Sequence, residues 1–170
     1  YFPAIPKPII AAINGVAVGI GFVITLFCDI RIASKSAKFS TMFAKRGLIA
    51  EHGIGWILPR IIGLPNAIDM LFSARMVGAE EALRMGLVHR VVSDERLIEE
   101  ATSYGVELIT SVSPRSLRII KKQLYDAQMQ TLAEAIDIAD REMLLSFESE
   151  DFKEGVAHFI EKRPPKFKGK

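Results

Sequence analysis

The sequence has a single cysteine, Cys28, which lies inside an apolar run. One cysteine excludes a framework of internal disulfides and favours a reducing compartment, which we expect to be the cytoplasm. Histidine, cysteine and acidic residues are nowhere spaced as metal ligands, and the sequence has neither a Gly-x-Ser-x-Gly motif nor a phosphate-binding loop. The sequence therefore predicts no metal site and gives no sign of serine-hydrolase or nucleotide-hydrolysing chemistry.

Neither sign of charge dominates the composition. There are 22 basic and 20 acidic side chains, so the formal net charge is +2. This balance gives no electrostatic case for a nucleic-acid partner. Residues 162–170 are the exception, because they contain several lysines and one arginine but no acidic residue. Such a basic tail is typical of a solvated terminus and, less often, of a phosphate contact.

Residues 8–28 carry no charge, and a run of this length could span a bilayer. Gly15 and Gly19 have the small-xxx-small spacing of packed membrane helices. Against a membrane helix, glycine and asparagine interrupt the run where a strand, a turn and a helix would need them, at Asn14, Gly15, Gly19 and Gly21. We therefore expect no membrane segment, with a membrane-anchored chain as the alternative.

Strand and helix patterns alternate in the first part of the chain. Ile9 to Val18 is rich in Ile, Val and Ala, which predicts a buried strand broken at Asn14–Gly15. A turn at Gly19–Gly21, a short helix over Phe22 to Phe27 and a strand over Asp29 to Ala33 follow. Later elements are a short strand at Phe39–Ser40, a loop from Gly47 to Gly53, a segment from Ile54 to Ile62 closed by Gly63, a helix opening at Pro65, a helix from Ala79 to Met85 and a strand from Leu87 to Val92.

The pattern is purely helical in the rest of the chain. Ser113 followed by Pro114 is typical of a helix start, because serine caps the first turn and proline fits the first helical position. Thr131 and Glu134 have the spacing of a capping box, and Ser149 caps a further helix. Mixed strands and helices followed by helices alone predict an α/β core with a helical C-terminal region.

The turn Gly19–Ile20–Gly21 is the most informative feature for function. Glycines on both sides of one residue, between a strand and a helix, allow the backbone to approach a ligand closely. The Ile20 N–H would then point out of a helix N-terminus, where it favours a developing negative charge, as in half of an oxyanion hole. The alternative is a tight turn that binds nothing. The turn does not fit a dinucleotide fingerprint, since Ile24 stands at the third glycine position.

Three segments carry a resemblance to a known family: Lys7 to Gly15, Cys28 to Ala33 and Phe159 to Arg163. Through them the chain resembles, over nearly its whole length, the C-terminal two-thirds of a crotonase-superfamily enzyme of the enoyl-CoA hydratase/isomerase family. The resemblance implies an α/β fold, a spiral of β-β-α units followed by a helical C-terminal trimerisation region, with the N-terminal part of the fold missing. Residues 1–93 would belong to the α/β core and residues 94–170 to the helical region.

The resemblance also implies an acyl-CoA substrate, with coenzyme A entering as part of the substrate and no further cofactor. In this family the turn corresponding to Gly19–Gly21 supplies a backbone N–H that polarises the thioester carbonyl. The family usually has glycine at the Ile20 position; isoleucine keeps the main-chain donor but reshapes the pocket. The partner N–H of the family's oxyanion hole comes from a segment upstream of Tyr1.

The acidic residues depart from the family pattern. Val23 and Phe43 occupy the positions of the two glutamates of family hydratases, and neither side chain can transfer a proton. Glu51 stands where related dienoyl-CoA isomerases and 4-chlorobenzoyl-CoA dehalogenases have a catalytic aspartate, so it is the candidate acid or base. The alternative is a surface glutamate that favours the following helix N-terminus. His52 is a second candidate base, or else a polar loop residue.

Phe159 and Lys162 match family positions that reach a bound coenzyme A, with the lysine meeting a phosphate, although a solvated lysine is the alternative. The resemblance implies a homo-trimer or hexamer. The resemblance thus implies an acyl-CoA-processing lyase or isomerase that stabilises a thioester enolate, with the exact reaction open. A non-catalytic crotonase-like protein that binds acyl-CoA or serves as a scaffold is the alternative.

Overall fold

The computed structural model describes residues 2–170, and its contacts divide the chain into two compact units. The first unit is Ile9–Thr102. The second consists of the described residues up to Pro8 together with Ser103–Lys170. The predicted division into a core over residues 1–93 and a helical region over residues 94–170 stays a prediction about domain organisation.

The first unit contains two small sheets. Their strands are β1 (Ile10–Ile13), β2 (Val16–Val18), β3 (Ile30–Ser34), β4 (Lys38–Ser40), β5 (Val77–Gly78) and β6 (Arg90–Val92). One three-stranded sheet has the order β1-β3-β6 and is parallel throughout. The other has the order β2-β4-β5, with β2 parallel and β5 antiparallel to β4. The predicted break at Asn14–Gly15 is confirmed, and it assigns β1 and β2 to different sheets.

Four helices accompany these strands: α1 (Ile20–Leu26), α2 (Ile54–Ser73), α3 (Ala79–Arg84) and α4 (Leu97–Ser111), the last of which runs into the second unit. Gly63 interrupts α2 with φ 76° and ψ 155°, a combination that is not helical and that suits glycine. The predicted end at Gly63 and restart near Pro65 are therefore confirmed, and α2 is two helical segments joined at a kink.

A hydrophobic cluster fills the first unit. Phe22, Val23 and Leu26 give α1 a buried face, and the ring of Phe22 lies 5.9 Å from that of Phe39 in β4. The uncharged run of residues 8–28 is divided among β1, β2 and α1. Within residues 2–170, no helix is long and apolar enough to cross a membrane.

The second unit contains α5 (Pro114–Asp126), α6 (Leu132–Phe147) and α7 (Glu150–Glu161). The predicted helix starts are confirmed. The side chain of Ser113 accepts a hydrogen bond from the Ser116 N–H, and that of Ser149 accepts one from the Phe152 N–H. Both hydrogen bonds of the predicted capping box at the start of α6 are formed.

Polar residues are buried in the second unit. Lys121 of α5 is 7% exposed, and its ammonium donates to the carbonyl oxygens of Phe2 and Lys7 at 3.1 and 3.0 Å. Asp151, near the start of α7, is 4% exposed. By contrast, α6 has no buried residue and exposes most of its large apolar side chains. Hydrogen bonds and ion pairs therefore contribute much of the internal order of this unit.

Candidate functional site

The turn before α1 has a backbone that only glycine adopts readily. Gly19 has φ 53° and ψ −128°, which places a side chain against its own backbone in any other residue. Its N–H donates to the Ser40 carbonyl at 3.2 Å, which ties the turn to β4. Its carbonyl accepts from the Val23 N–H at 3.0 Å, which starts α1. The helix therefore begins at Ile20, two residues earlier than the predicted Phe22.

The first turn of α1 leaves backbone donors free. Among the hydrogen bonds of residues 2–170, none takes the N–H of Ile20, Gly21 or Phe22. The Ile20 side chain is 57% exposed, and a Cβ added to Gly21 would meet no atom within 4 Å. The open space beside Gly21 leaves room for a carbonyl group to approach, and unpaired donors at a helix start favour such an acceptor.

The two positions at which the resemblance predicts hydratase glutamates are apolar and buried. Val23 is 3% exposed and Phe43 is 6% exposed, and both belong to the hydrophobic cluster of the first unit. Neither side chain can donate or accept a proton. Any proton carrier near α1 must therefore come from another residue.

Glu51 and His52 lie in the loop that precedes α2. Gly47, His52 and Gly53 all have positive φ, at 71°, 54° and 78°, so the loop turns sharply at both ends. The Glu51 carbonyl accepts from the Ile54 N–H at 3.1 Å, which fixes the loop to the first turn of α2. Glu51 Oε2 lies 3.8 Å from His52 Nε2, and the two side chains are 35% and 50% exposed. The structure thus brings the two candidate proton carriers together at a partly exposed position.

The turn before α1 and the loop before α2 rest on one hydrophobic cluster. Phe22 of α1, Phe43 shortly before the loop and Ile54 directly after it all belong to the cluster. At the other end of α1, the tip of the Phe27 ring lies 3.7 Å from where a Cβ on Gly53 would be. A bulky residue at position 53 would therefore disturb the packing of Phe27 as well as the left-handed backbone.

Phe159 and Lys162 belong to the second unit. Phe159, near the end of α7, is 80% exposed. Lys162 follows the last helical residue and has φ 52° and ψ 42°, the left-handed conformation that ends a helix. Its side chain is exposed, and within residues 2–170 it forms no ion pair. The roles of both residues in ligand binding stay predictions.

Sequence reasoning missed most of the contacts that surround Lys162. Arg163 forms a two-pronged ion pair with Glu154 and a second ion pair with Glu161. Asp151 accepts hydrogen bonds from the backbone of Lys168 and Gly169. Arg163 and Glu161 are two positions apart, whereas the other partners are 9 to 18 positions apart and no helical or strand period relates them. The only usable signal was the clustering of basic residues in 162–170.

Mainly parallel strands with intervening helices, followed by helices alone, define a mixed α/β fold, as predicted. The family model for enoyl-CoA hydratase/isomerase matches residues 3–170, and the chain belongs to this family. A 1,2-epoxyphenylacetyl-CoA isomerase from Escherichia coli K12 is 39% identical over 166 residues, which are 98% of this chain and 63% of the relative. An (E)-benzylidenesuccinyl-CoA hydratase from Thauera aromatica is 42% identical over 163 residues, 96% of this chain and 63% of the relative.

Solved structures that superpose closely on this chain belong to proteins described as enoyl-CoA hydratases. An enoyl-CoA hydratase from Bacillus anthracis superposes with a TM-score of 0.96 at 32% identity, covering 99% of this chain and 65% of that one. One from Geobacillus kaustophilus superposes with a TM-score of 0.92 at 37% identity, again covering 99% and 65%. The chain thus spans a little under two thirds of the length of each of these four proteins.

Proposed function

We propose that the protein acts on acyl-CoA thioesters and that the Ile20 N–H polarises the thioester carbonyl. The observation that carries this proposal is the set of unpaired N–H groups at the start of α1, beside the open space at Gly21. A donor fixed at a helix start stabilises the negative charge that the carbonyl oxygen gains when the α-carbon loses a proton. One relative is named as an isomerase of a CoA thioester and another as a hydratase of a CoA thioester, which supports this substrate class.

Glu51 is the proposed proton carrier, with His52 as its neighbour. Its carboxylate can remove a proton from the α-carbon of the thioester or return one to the resulting enolate. His52 at 3.8 Å can interact with the carboxylate or share in the proton transfer. The reaction is then a lyase or isomerase step through an enolate. Hydration by two glutamates is disfavoured, because valine and phenylalanine stand at those positions.

A second function is favoured by the same buried positions. With apolar Val23 and Phe43 in place of acids, the protein would bind acyl-CoA without transforming it. Such a protein needs the backbone donor and a site for the nucleotide, but it needs no proton carrier. The partly exposed Glu51 carboxylate argues for the enzyme over the binding protein.

Two residues near the end of α7 are the proposed contacts for coenzyme A. Lys162 would meet a phosphate of coenzyme A as a point charge, with Phe159 contacting the same ligand.

The protein would work as a homo-trimer or hexamer, for which the exposed apolar side chains of α6 are suited. The single cysteine, Cys28, is consistent with a cytoplasmic location.

Calorimetry on the full-length protein with acetyl-, butyryl- and phenylacetyl-CoA tests the proposed substrate class. We expect binding to at least one of them, and no binding to any at high micromolar concentration contradicts the proposal. Deuterium exchange at the α-carbon of the bound thioester then separates the two functions. Exchange that disappears in Glu51→Gln supports the enzyme, whereas tight binding without exchange supports the binding protein.

A further inference from the structure

Lys162 has a backbone conformation that needs support from its surroundings. Its φ of 52° is left-handed, and side chains with a Cβ adopt this region only at a cost. The Lys162 N–H and the Arg163 N–H both donate to the His158 carbonyl, the latter at 3.2 Å. The chain therefore leaves α7 through a tight turn, and the direction of the Lys162 side chain depends on this turn remaining closed.

The Arg163 side chain stabilises the turn by pairing with two acidic residues of α7. Its Nη1 and Nη2 donate to the two carboxylate oxygens of Glu154 at 2.5 and 2.9 Å, and its Nε donates to Glu161 at 2.5 Å. A planar guanidinium held at two edges has little freedom, and lysine cannot reproduce this geometry. Arg163 thus joins the middle of α7, the end of α7 and the turn that carries Lys162.

The ion pairs of Arg163 also determine which charged side chains near Lys162 are free to bind a ligand. Glu161 is adjacent to Lys162, yet its carboxylate is paired with Arg163. Hydrogen bonding to Arg163 is also the main reason that the pKa of Glu154 is lowered to about 2, so this carboxylate stays ionised and paired near neutral pH. With both acids occupied, the Lys162 ammonium is left for an external anion.

We propose that Arg163 is a positioning residue for Lys162: its ion pairs with Glu154 and Glu161 hold the left-handed turn and keep both carboxylates away from the lysine. This inference rests on the proposed function, in which Lys162 meets a phosphate of coenzyme A. Arg163 itself touches no ligand in this scheme. It acts through the backbone angle and the electrostatic surroundings of its neighbour.

The test measures binding of two probes, coenzyme A and pantetheine, to the full-length protein by calorimetry. Pantetheine has the same thiol arm but no phosphate. Loss of one phosphate contact in Lys162→Met should weaken coenzyme A binding by roughly tenfold. Arg163→Lys should weaken it by about three- to tenfold while pantetheine binding stays the same. In the Lys162→Met background, Arg163→Lys should have no further effect.

Arg75 offers a matched control in the first unit. It also forms a two-pronged ion pair with one acid, Glu81, and a further pair with Asp69. Arg75→Lys therefore removes the same kind of contact at a place without Lys162. We expect it to change the melting temperature and to leave the affinity for coenzyme A unaltered.

Each alternative result has a definite meaning. If Arg163→Lys weakens pantetheine equally, or weakens coenzyme A further in the Lys162→Met background, Arg163 is only structural and the inference is wrong. If Lys162→Met weakens coenzyme A binding but Arg163→Lys does not, the inference fails and the proposed function stands. If the wild type does not bind coenzyme A, or Lys162→Met has no effect, the proposed phosphate contact fails and the inference fails with it.

Discussion

The Ser113 hydroxyl donates a 2.6 Å hydrogen bond to Oδ2 of Asp151, and this buried contact joins the first turns of α5 and α7. Ser113 also accepts from the Ser116 N–H at 3.1 Å, so one hydroxyl caps α5 and binds Asp151. Asp151 accepts further hydrogen bonds from the N–H groups of Lys168 and Gly169. A single carboxylate therefore holds two helix starts and the last residues of the chain.

Asp151→Asn should lower the free energy of unfolding by about 1–3 kcal/mol, since an amide oxygen replaces a charged acceptor. Burial raises the pKa of Asp151, but hydrogen bonds from Ser113, Lys168 and Gly169 outweigh burial and lower it overall. Because the folded-state pKa is lowered, the ionised Asp151 carboxylate stabilises the fold at pH values above the unfolded-state pKa of about 4. This stabilisation is lost as the pH falls through the folded-state pKa.

Denaturant unfolding of wild type and Asp151→Asn between pH 7 and pH 2.5 checks this expectation. The difference in stability should be largest near neutral pH and should shrink on acidification. Asp140→Asn, at an exposed position of α6, serves as the control and should change little at any pH. A difference that does not depend on pH would mean that the charge of Asp151 contributes nothing.

Substitutions of Gly19, before α1, and of Gly21, in its first turn, should affect stability and ligand binding differently. Gly19→Ala should cost about 1–3 kcal/mol, because alanine is strained at φ 53° and ψ −128°. Gly21→Ala should raise stability by about 0.5 kcal/mol, since Gly21 is helical and has space around it. The new methyl group would nevertheless crowd an incoming thioester. Unchanged acyl-CoA affinity in a stable Gly21→Ala protein would exclude this face of the turn as the binding site.

Glu51→Gln should reduce turnover of the physiological acyl-CoA by about 10²–10⁴-fold, the usual effect of removing a general acid or base. Glutamine keeps the size of the side chain and removes only its ability to exchange a proton. Glu80→Gln, at an exposed position of α3, is the control and should leave turnover unchanged. Undiminished turnover in Glu51→Gln would clear this residue of a catalytic role.

The wild type should also hydrate crotonyl-CoA very slowly, because Val23 and Phe43 cannot move a proton. A spectrophotometric assay of hydration measures this rate directly. Fast hydration would refute the argument that the lack of glutamates at positions 23 and 43 prevents efficient hydration.

Self-association is expected from α6, where Ile136 is 49% and Met143 47% exposed. Apolar side chains repeated along an exposed helix lose contact with water when a second copy covers them. The full-length protein should form trimers or hexamers in light scattering, and Ile136→Glu with Met143→Lys should dissociate them. Asp137→Lys, on the same helix, is the control. A wild-type monomer at micromolar concentration contradicts this prediction.

Local sequence signals were sufficient to predict many of the helices and strands. The Thr131–Glu134 capping box and the Ser113–Pro114 helix start form within one turn, so short spacing identifies them. The two-residue strand β5 was not predicted, because Val77 and Gly78 form it only by pairing with β4. The start of α1 lies before the predicted Phe22, because the hydrogen bond from the Val23 N–H to the Gly19 carbonyl includes Ile20 and Gly21 in the first helical turn.

Less of the candidate site than of the fold could be predicted from the sequence. Glycine spacing identified the turn at Gly19–Gly21, since a positive φ can be inferred from residue type. The pairing of Glu51 with His52 could be suspected from their adjacency alone. The partners of Arg163 could not, because Glu154 approaches it only after the chain turns at Lys162. Contacts that depend on such reversals follow from tertiary structure and leave no periodic pattern in the sequence.

The hydrogen bonds of the C-terminal residues bear on how the protein withstands proteases. The N–H groups of Lys166, Lys168 and Gly169 are all taken by carboxylates of α7, and the Lys170 carbonyl accepts from the Asp151 N–H. Trypsin needs several consecutive residues in an extended, unbonded form, so lysines in this stretch are exposed as side chains but shielded as cleavage sites. Digestion there should begin only after the first turns of α7 open, and the rate of cutting then reports on that opening.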